Sequence, residues 1–439
     1  MTCPRLLLAS ALTFAASAVQ AQDTIYVEHL QAAAVQSDPR VGQRGLLRAA
    51  NDLRVATINA DRLPQVEIKG SASYQSDITQ PDLGVPGLTL PNLPKHHWQT
   101  TLDVNQRLYD GGELARRREL EVARHLESQA GVDVALYGLR SEVNSAFFSA
   151  FLLDKRSAEY DALVADLDAR LSAVRARVEA GTALGRDAAE IEAEQVRATV
   201  QRNEARASRR ASLAILADLV GRPIDTTAVL VLPSEEPEQT RPPDLGAAAA
   251  LRLRPEFERY RQSRFRLDRE AAYTTAENKP RLYAFGQAGL GLPGLDQFRT
   301  SSDAFFQAGL RLEWRPWTWR SARRKAAAFR LEQDVLATEE QALGRRLARA
   351  VAVDLEEIAR LKAALADDER VVALQTEVER QARAQYDEGA ITTADYVETR
   401  TDVLEARLTL ERHRVELAQA RSSYLTTLGL TSKRASETP

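Results

Sequence analysis

From Gly112 to Val178 the chain runs for 67 residues without a proline, rich in Ala, Leu, Arg and Glu, and from Trp319 to Tyr386 it does so again for 68. At 1.5 Å per residue, each run reaches roughly 100 Å if it forms one helix. A helix that long outgrows any ordinary globular core, so it must bury its apolar stripe along another helix, as coiled coil. The seam is visible near the C-terminus. Val397, Leu404, Leu408, Val415, Ala418 and Leu425 follow one another at intervals of 7, 4, 7, 3 and 7, the mixed three-four spacing of knobs entering holes. With 28% charged and only 6% aromatic residues, the composition suits long solvated helices better than a compact aromatic core.

Four short segments break the helical pattern and alternate with a period of two. In the first, about 65–76, Val66, Ile68, Ala72 and Tyr74 oppose Glu67, Lys69, Ser71, Ser73 and Gln75. In the second, about 98–108, Trp98, Leu102, Val104 and Leu108 oppose Gln99, Asp103, Asn105 and Arg107. In the fourth, about 303–314, Phe306, Ala308, Leu310, Leu312 and Trp314 oppose Gln307, Arg311 and Glu313. The third, 281–292, is less regular, because Tyr283 and Phe285 fall on its polar side. Each is about as long as the 9–11 residues of a tilted transmembrane strand. The alternation by itself fits a half-buried soluble sheet equally well. The aromatics shift the balance: Trp98, Trp314, Trp317 and Trp319 all lie in or at the ends of strands, with Tyr109 at the matching end of the second. Interfacial aromatic girdles have that placement.

These segments recur in order. Pro64 precedes the first strand as Pro280 precedes the third, and Gly181 and Gly389 are 208 residues apart, as are Gly221 and Gly429. Residues 22–221 and 246–430 therefore each read as helix, strand, loop, strand, very long helix, tight turn, helix. A proline-rich linker over 222–245 joins them, carrying Pro223, Pro233, Pro237, Pro242 and Pro243, and a polar tail follows at 431–439.

The first 21 residues have the features of a secretory signal: Arg5, an apolar stretch from Leu6 to Ala18, and Val19-Gln20-Ala21 before the expected cleavage. The only cysteine, Cys3, would leave with it, so no disulfide, thiolate nucleophile or cysteine-ligated metal is expected. Gln22 at the expected new N-terminus argues against a lipid anchor. No later segment has eighteen consecutive apolar residues, so a membrane could be crossed only by β-strands. The net charge of −3 argues against a nucleic-acid partner. The five histidines (His29, His96, His97, His125 and His413) are scattered. No catalytic constellation or phosphate loop accompanies them, and no cofactor or metal is expected.

At this point the chain resembles the TolC family of outer membrane efflux proteins over nearly its whole length. Leu108-Tyr109-Asp110-Gly111-Gly112 is similar to the family's strand-to-helix junction, and Arg254-Pro255-Glu256 to a helix start in its second half. Tyr386-Asp387-Glu388-Gly389 followed by Asp395 is similar to the helix-hairpin turn of the second repeat, and Val178 to Gly181 followed by Asp187 to that of the first. The resemblance implies an α+β membrane protein made of two structural repeats. Long antiparallel coiled-coil helices would accompany four transmembrane strands per protomer, and a homotrimer would complete a twelve-stranded α/β-barrel. Four strands alone would leave open edges in lipid.

The resemblance also implies a function. The chain would be the outer-membrane channel of a tripartite efflux pump or type I secretion system. It would pass small molecules or proteins without doing chemistry, and would work with a periplasmic adaptor and an inner-membrane pump or ABC transporter. A coiled-coil structural or adhesive surface protein with a β-barrel anchor is the alternative, and strand pairs inside both halves argue against it. By alignment on the second turn, Asp395 and Glu398 would line the periplasmic entrance. They are spaced i, i+3 on one helix face, although acids at a helix start also simply complement the dipole. Tyr386 and Asp187 match contacts that hold the entrance closed, but Ile391 stands where the family can place an arginine, and neighbouring Arg186 is no evident substitute. The turns at Gly181 and Gly389 would meet the adaptor.

Overall fold

A computed structural model describes residues 24–77, 94–233, 251–296 and 300–430. The expected signal segment 1–21 with Cys3, the residue Gln22, the prolines Pro237, Pro242 and Pro243, and the tail 431–439 lie outside the described residues. Helices α1 (Val27–Ser37) and α2 (Arg40–Ala60) lead into strands β2 (Gln65–Tyr74) and β3 (His96–Tyr109). Next come α3 (Glu113–Glu179) and α4 (Gly185–Val220). The second half repeats the order as α5 (Pro255–Ala276), β5 (Arg281–Leu292), β6 (Asp303–Glu313), α6 (Ser321–Asp387) and α7 (Thr393–Leu428). α3 and α6 are both 67 residues long, and α4 and α7 are both 36. No helix among the described residues is long and apolar enough to cross a membrane.

The long helices pair by heptads. In the α3/α4 hairpin, Asp154, Asp161 and Asp168 follow one another every seven residues. They meet Arg209 (2.9 Å), Arg202 (3.5 Å) and Gln195 (2.9 Å), which run every seven in the other direction. That constant register is what a 3.5-residue seam requires of two antiparallel helices. Along the same seam lie Leu163, Leu167, Leu171 and Val174 of α3 and Ile191 and Ala198 of α4, all buried. The seam of α7 joins three cores: Leu404 enters this cluster, Val415 and Ala418 enter one around Phe147 and Leu216, and Leu425 packs beside Leu361 and Leu428. α7 also abuts α3 directly, with Arg400 at 3.2 Å from Asp166 and, seven residues on, Arg407 at 3.8 Å from Glu159.

Both hairpins turn alike. After α3, Gly181 (φ +72°) lets the Thr182 N–H reach back to the Arg177 carbonyl at 2.8 Å; after α6, Gly389 (φ +74°) lets Ala390 reach Gln385 at 2.7 Å. This six-to-one bond needs a left-handed residue, which glycine supplies at least cost.

The sequence pattern did not predict the two-stranded parallel sheet formed by β1 (Thr24–Tyr26) and β4 (Val229–Val231). β4 falls inside the segment expected to be a linker, whose described part, 222–233, is therefore tied to the N-terminal end of the chain. Its Leu230 and Ala228 are buried with Leu30 and Phe147. Three residues are too few to show an alternation, so the apolar triplet Val229-Leu230-Val231 read as connection.

Candidate functional site

The four-stranded sheet, ordered β2-β3-β5-β6, is antiparallel throughout, and its register sorts the residues cleanly by face. On one side lie Val66, Ile68, Ala72 and Tyr74; Trp98, Leu102 and Val104; Ala284, Ala288 and Leu290; Phe306, Leu310 and Leu312. On the other lie Glu67, Lys69, Asp103, Gln287, Gln307 and Arg311. At the centre of the sheet, burial is inverted relative to a water-soluble sheet, while β2 at its edge is exposed on both faces. Ile68 is 75% exposed and Phe306 71%, while Asp103 is only 6% exposed and Thr101 4%. The polar face carries a continuous rung, covered at Asp103 and exposed towards both edges. Lys69 Nζ lies 3.1 Å from both Glu67 and Asp103, Gln287 donates to Asp103 Oδ1 at 2.7 Å, and Gln307 donates to Gln287 Oε1 at 2.8 Å. Every strand contributes to it.

Two departures from the expected alternation have local causes. A bulge between Arg107 and Tyr109 puts Tyr109 opposite Leu282, so Tyr109 takes the apolar-side position expected of Leu108. Phe285 and Phe305 do face the polar side, but their rings lie over glycines. A Cβ on Gly309 would sit 2.9 Å from Phe285, and one on Gly289 would sit 2.7 Å from Phe305. Arg311 then stacks over Phe285 at 5.1 Å, which keeps a charge at the surface of that ring.

At the opposite end of the molecule lie the hairpin tips. Asp395 belongs to a capping box: its carboxylate accepts from the Thr392 N–H at 3.0 Å and hydroxyl at 2.7 Å, and the Asp395 N–H donates to Thr392 Oγ1 at 3.2 Å. Those bonds from Thr392 hold its carboxyl below the usual range. Glu398, one turn on, is exposed. Asp187 occupies the position equivalent to Asp395 in the first half and has the same local task, accepting from the Leu184 N–H at 3.1 Å with Arg186 at 3.6 Å. Tyr386 stacks on Tyr396 (5.1 Å, 20°), its hydroxyl lies 3.3 Å from Thr393 Oγ1, and it packs against the α3/α4 core. The hydrogen bonds of Tyr386 and of Asp187 thus stay within their own turns.

The two hairpins are joined by a cluster that sequence reasoning missed. Tyr396 is fully buried beneath Arg170, whose guanidinium lies 4.2 Å from the ring centre. Arg170 and Arg400 share Asp166, at 3.3 and 3.2 Å, and Arg400 also reaches Glu379 at 3.0 Å. The cluster unites α3, α6 and α7. Burial pushes the Tyr396 phenol up to about 12, and its hydroxyl finds no hydrogen-bond partner among the described residues. The signal in the sequence was a pair of i, i+4 spacings, Asp166/Arg170 and Tyr396/Arg400. Each is commonplace alone and meaningful only once the helices are in register. Among the described residues, no group of His, Cys, Asp and Glu is arranged to hold a metal.

Residues 29–222 match the family model of outer membrane efflux proteins, in keeping with the resemblance read from the sequence. No curated protein matches the chain by sequence. Solved structures match it in fold. CusC, described as forming a transmembrane channel, aligns with TM-score 0.70 and 15% identity over 92% of each chain. The outer membrane protein VceC of Vibrio cholerae aligns with TM-score 0.65 and 14% identity over 92% of this chain and 96% of that one. The MtrE outer membrane channel of Neisseria gonorrhoeae aligns with TM-score 0.66 and 17% identity over 94% and 91%.

Proposed function

We propose that this chain, whose first half matches the outer membrane efflux proteins, is one protomer of a trimeric outer-membrane export channel extending into the periplasm. The observation that carries the reading is the two-faced sheet: one face presents large exposed apolar side chains and the other a hydrogen-bonded polar rung. A lipid-embedded strand layer around water requires that arrangement, and a soluble sheet does not.

The sheet has two open edges, β2 and β6, and edges cannot stay unpaired in lipid. Pairing β6 of one copy with β2 of the next around a ring removes them, and three copies give twelve strands. The helices support the same ring. On α6, Val335, Val353 and Val371 recur every 18 residues, five full turns, with Leu374 and Val378 beside them, and all are exposed. α4 leaves Val196 and Val200 exposed, and α2 leaves Leu46 and Leu53. Apolar stripes of this kind mark surfaces covered by a neighbour.

The chain acts as a conduit and not as an enzyme. Energy would come from an inner-membrane pump or ABC transporter through a periplasmic adaptor, which would meet the tips at Gly181 and Gly389, where Leu184 is 60% exposed. Asp395 and Glu398 would line the entrance from the first turn of α7, six carboxylates in a trimer, and would favour cations. Closure would rest on the Tyr396–Arg170–Asp166–Arg400–Glu379 cluster together with Tyr386, and Asp187 would shape its own turn.

The test is single-channel conductance in a planar bilayer, comparing wild type with Asp395→Asn/Glu398→Gln. Cation-selective currents that lose selectivity in the variant support both conduit and entrance. Unchanged selectivity removes the entrance assignment. No current from correctly assembled trimers, even with the turn loosened by Tyr386→Phe, overturns the conduit.

A further inference from the structure

The two elbows that turn strand into long helix share a backbone and differ in chemistry. Gly111 and Gly112 have φ of +65° and +87°; 208 positions on, Trp319 and Arg320 have +51° and +61°. The bonds repeat too. Glu113 N donates to the Asp110 carbonyl at 3.2 Å as Ser321 N does to Thr318 at 2.8 Å, and Arg116 N donates to Gly112 at 3.1 Å as Arg324 N does to Arg320 at 3.0 Å. Left-handed backbone suits glycine and is an outlier for a bulky residue. The second elbow therefore keeps a tryptophan and an arginine where its own backbone favours glycine, and strain held in place points to a use for the side chains.

Their charge points to the same conclusion. In the first elbow every ionised group is matched: Arg107 lies 3.9 Å from Glu113, Arg116 2.9 Å from Glu119, and Arg117 3.0 Å from Asp61. The Asp110 carboxylate accepts from the N–H groups of Gly112 and Leu114 at 2.8 and 3.0 Å. The equivalent stretch 315–325 holds Arg315, Arg320, Arg323, Arg324 and Lys325 and no acid. All five are exposed in the single chain, and none forms an ion pair among its described residues. Glu277 and Glu313, which line the adjoining depression, pair with none of them. Beside these cations Trp317 and Trp319 meet edge to face at 6.0 Å and stand 76% and 78% exposed, and Trp314 is 58% exposed. Trp317, Trp319, Arg320, Arg323 and Arg324 together border a shallow open depression of about 590 Å³. In the chain it follows β6, on whose apolar side Leu310 and Leu312 are 67% and 68% exposed.

We propose that this second elbow is a clamp for anionic phospholipid, engaging headgroup phosphates of the bilayer leaflet on the helix side. The indoles supply an amphipathic surface at headgroup depth. The guanidinium groups supply bidentate phosphate donors, and each basic residue near an anionic surface contributes about fivefold to binding. The inference rests on the reading of the apolar sheet face as lipid-facing.

The test is retention of phosphatidylglycerol against phosphatidylcholine by the full-length protein in mixed micelles, read by native mass spectrometry. Wild type should prefer phosphatidylglycerol, and the preference should fall as salt rises from roughly 0.05 to 0.5 M. Arg320→Gln/Arg323→Gln/Arg324→Gln/Lys325→Gln should lose about tenfold or more of that preference. Arg116→Gln/Arg117→Gln, in the other elbow, should retain it. Equal retention by wild type and the quadruple variant overturns the proposal. So does displacement of the lipid by inorganic phosphate, which would make the elbow a free-anion site. Should the quadruple variant fail to assemble, the lipid preference of wild type and its salt dependence still decide the question, because their absence overturns the clamp. Bilayer currents separate the two readings. A conducting wild type without lipid preference ends the clamp alone, whereas a wild type that never conducts ends the channel reading on which it rests.

Discussion

Ile68→Arg separates a lipid-facing sheet from a water-facing one. Ile68 is near the middle of β2, opposite Leu102, with its side chain 75% exposed in the single chain. In water such a residue buries almost nothing, so replacing it with arginine would change stability by less than about 0.5 kcal/mol. On the lipid face of a barrel, an arginine near the midplane costs about 2–4 kcal/mol. In the proposed trimer, three copies in one ring would bring the cost to about 6–12 kcal/mol, comparable to the whole stability of many folded proteins. Ser71→Arg is the control: it lies three residues along the same strand, opposite Gln99 and on the polar side, where an arginine remains solvated. Refolding from urea into lipid vesicles, with the yield of heat-modifiable trimer read on a gel, gives the answer. Ile68→Arg should fail or fold at a small fraction of the wild-type yield, and Ser71→Arg should match wild type. Equal yields would refute the claim that the apolar face meets lipid, and with it the physical basis of the channel.

Gly111→Ala and Gly112→Ala should differ in urea unfolding. Both have positive φ, worth about 1–2 kcal/mol, but a Cβ at Gly111 would also stand 2.4 Å from Lys279 Cβ while Gly112 has nothing within 4 Å, so Gly111→Ala should cost a further ~1–3 kcal/mol. Tyr396→Phe should be neutral or stabilising in the same assay, since it deletes a buried hydroxyl without a partner, whereas Arg400→Gln should cost about 1–3 kcal/mol by taking the ion pair from Glu379 and leaving Asp166 with Arg170 alone. Because the Asp395 carboxyl is lowered in the fold, its stabilisation is present above its unfolded value near pH 4 and is lost as pH falls through the lower folded one. Hydrogen exchange in the first turn of α7, corrected for intrinsic rates, should therefore rise on acidification, and Asp395→Ala should abolish that dependence.

Much of the architecture was legible because its determinants are local periodicities. The heptad seam of α7 and the period-two strands are carried by residues close in sequence, and the 208-residue offset is read from short local motifs that occur twice. The β1/β4 pair was hidden because three apolar residues cannot show a period, and because their partners lie about 200 positions apart. The hairpin tips were legible as turns but not in their chemistry. Asp187 and Asp395 were assigned different roles by resemblance, yet they are equivalent positions that cap equivalent helices. The contacts that join the hairpins come instead from Arg170, Asp166 and Arg400, which only the assembled register brings together. The elbows show the same limit from the other side. A rule that seeks glycine where the backbone turns left-handed finds Gly111-Gly112 and passes over Trp319-Arg320, although the two backbones coincide. The second repeat reaches that conformation because its strands and its long helix fix both ends of the turn, so tertiary structure supplies what glycine supplies in the first. Where two repeats keep one geometry and exchange its chemistry, the backbone explains what is shared. The side chains that are held against its preference, here an indole and a guanidinium beside four other cations, then need a cause outside the fold.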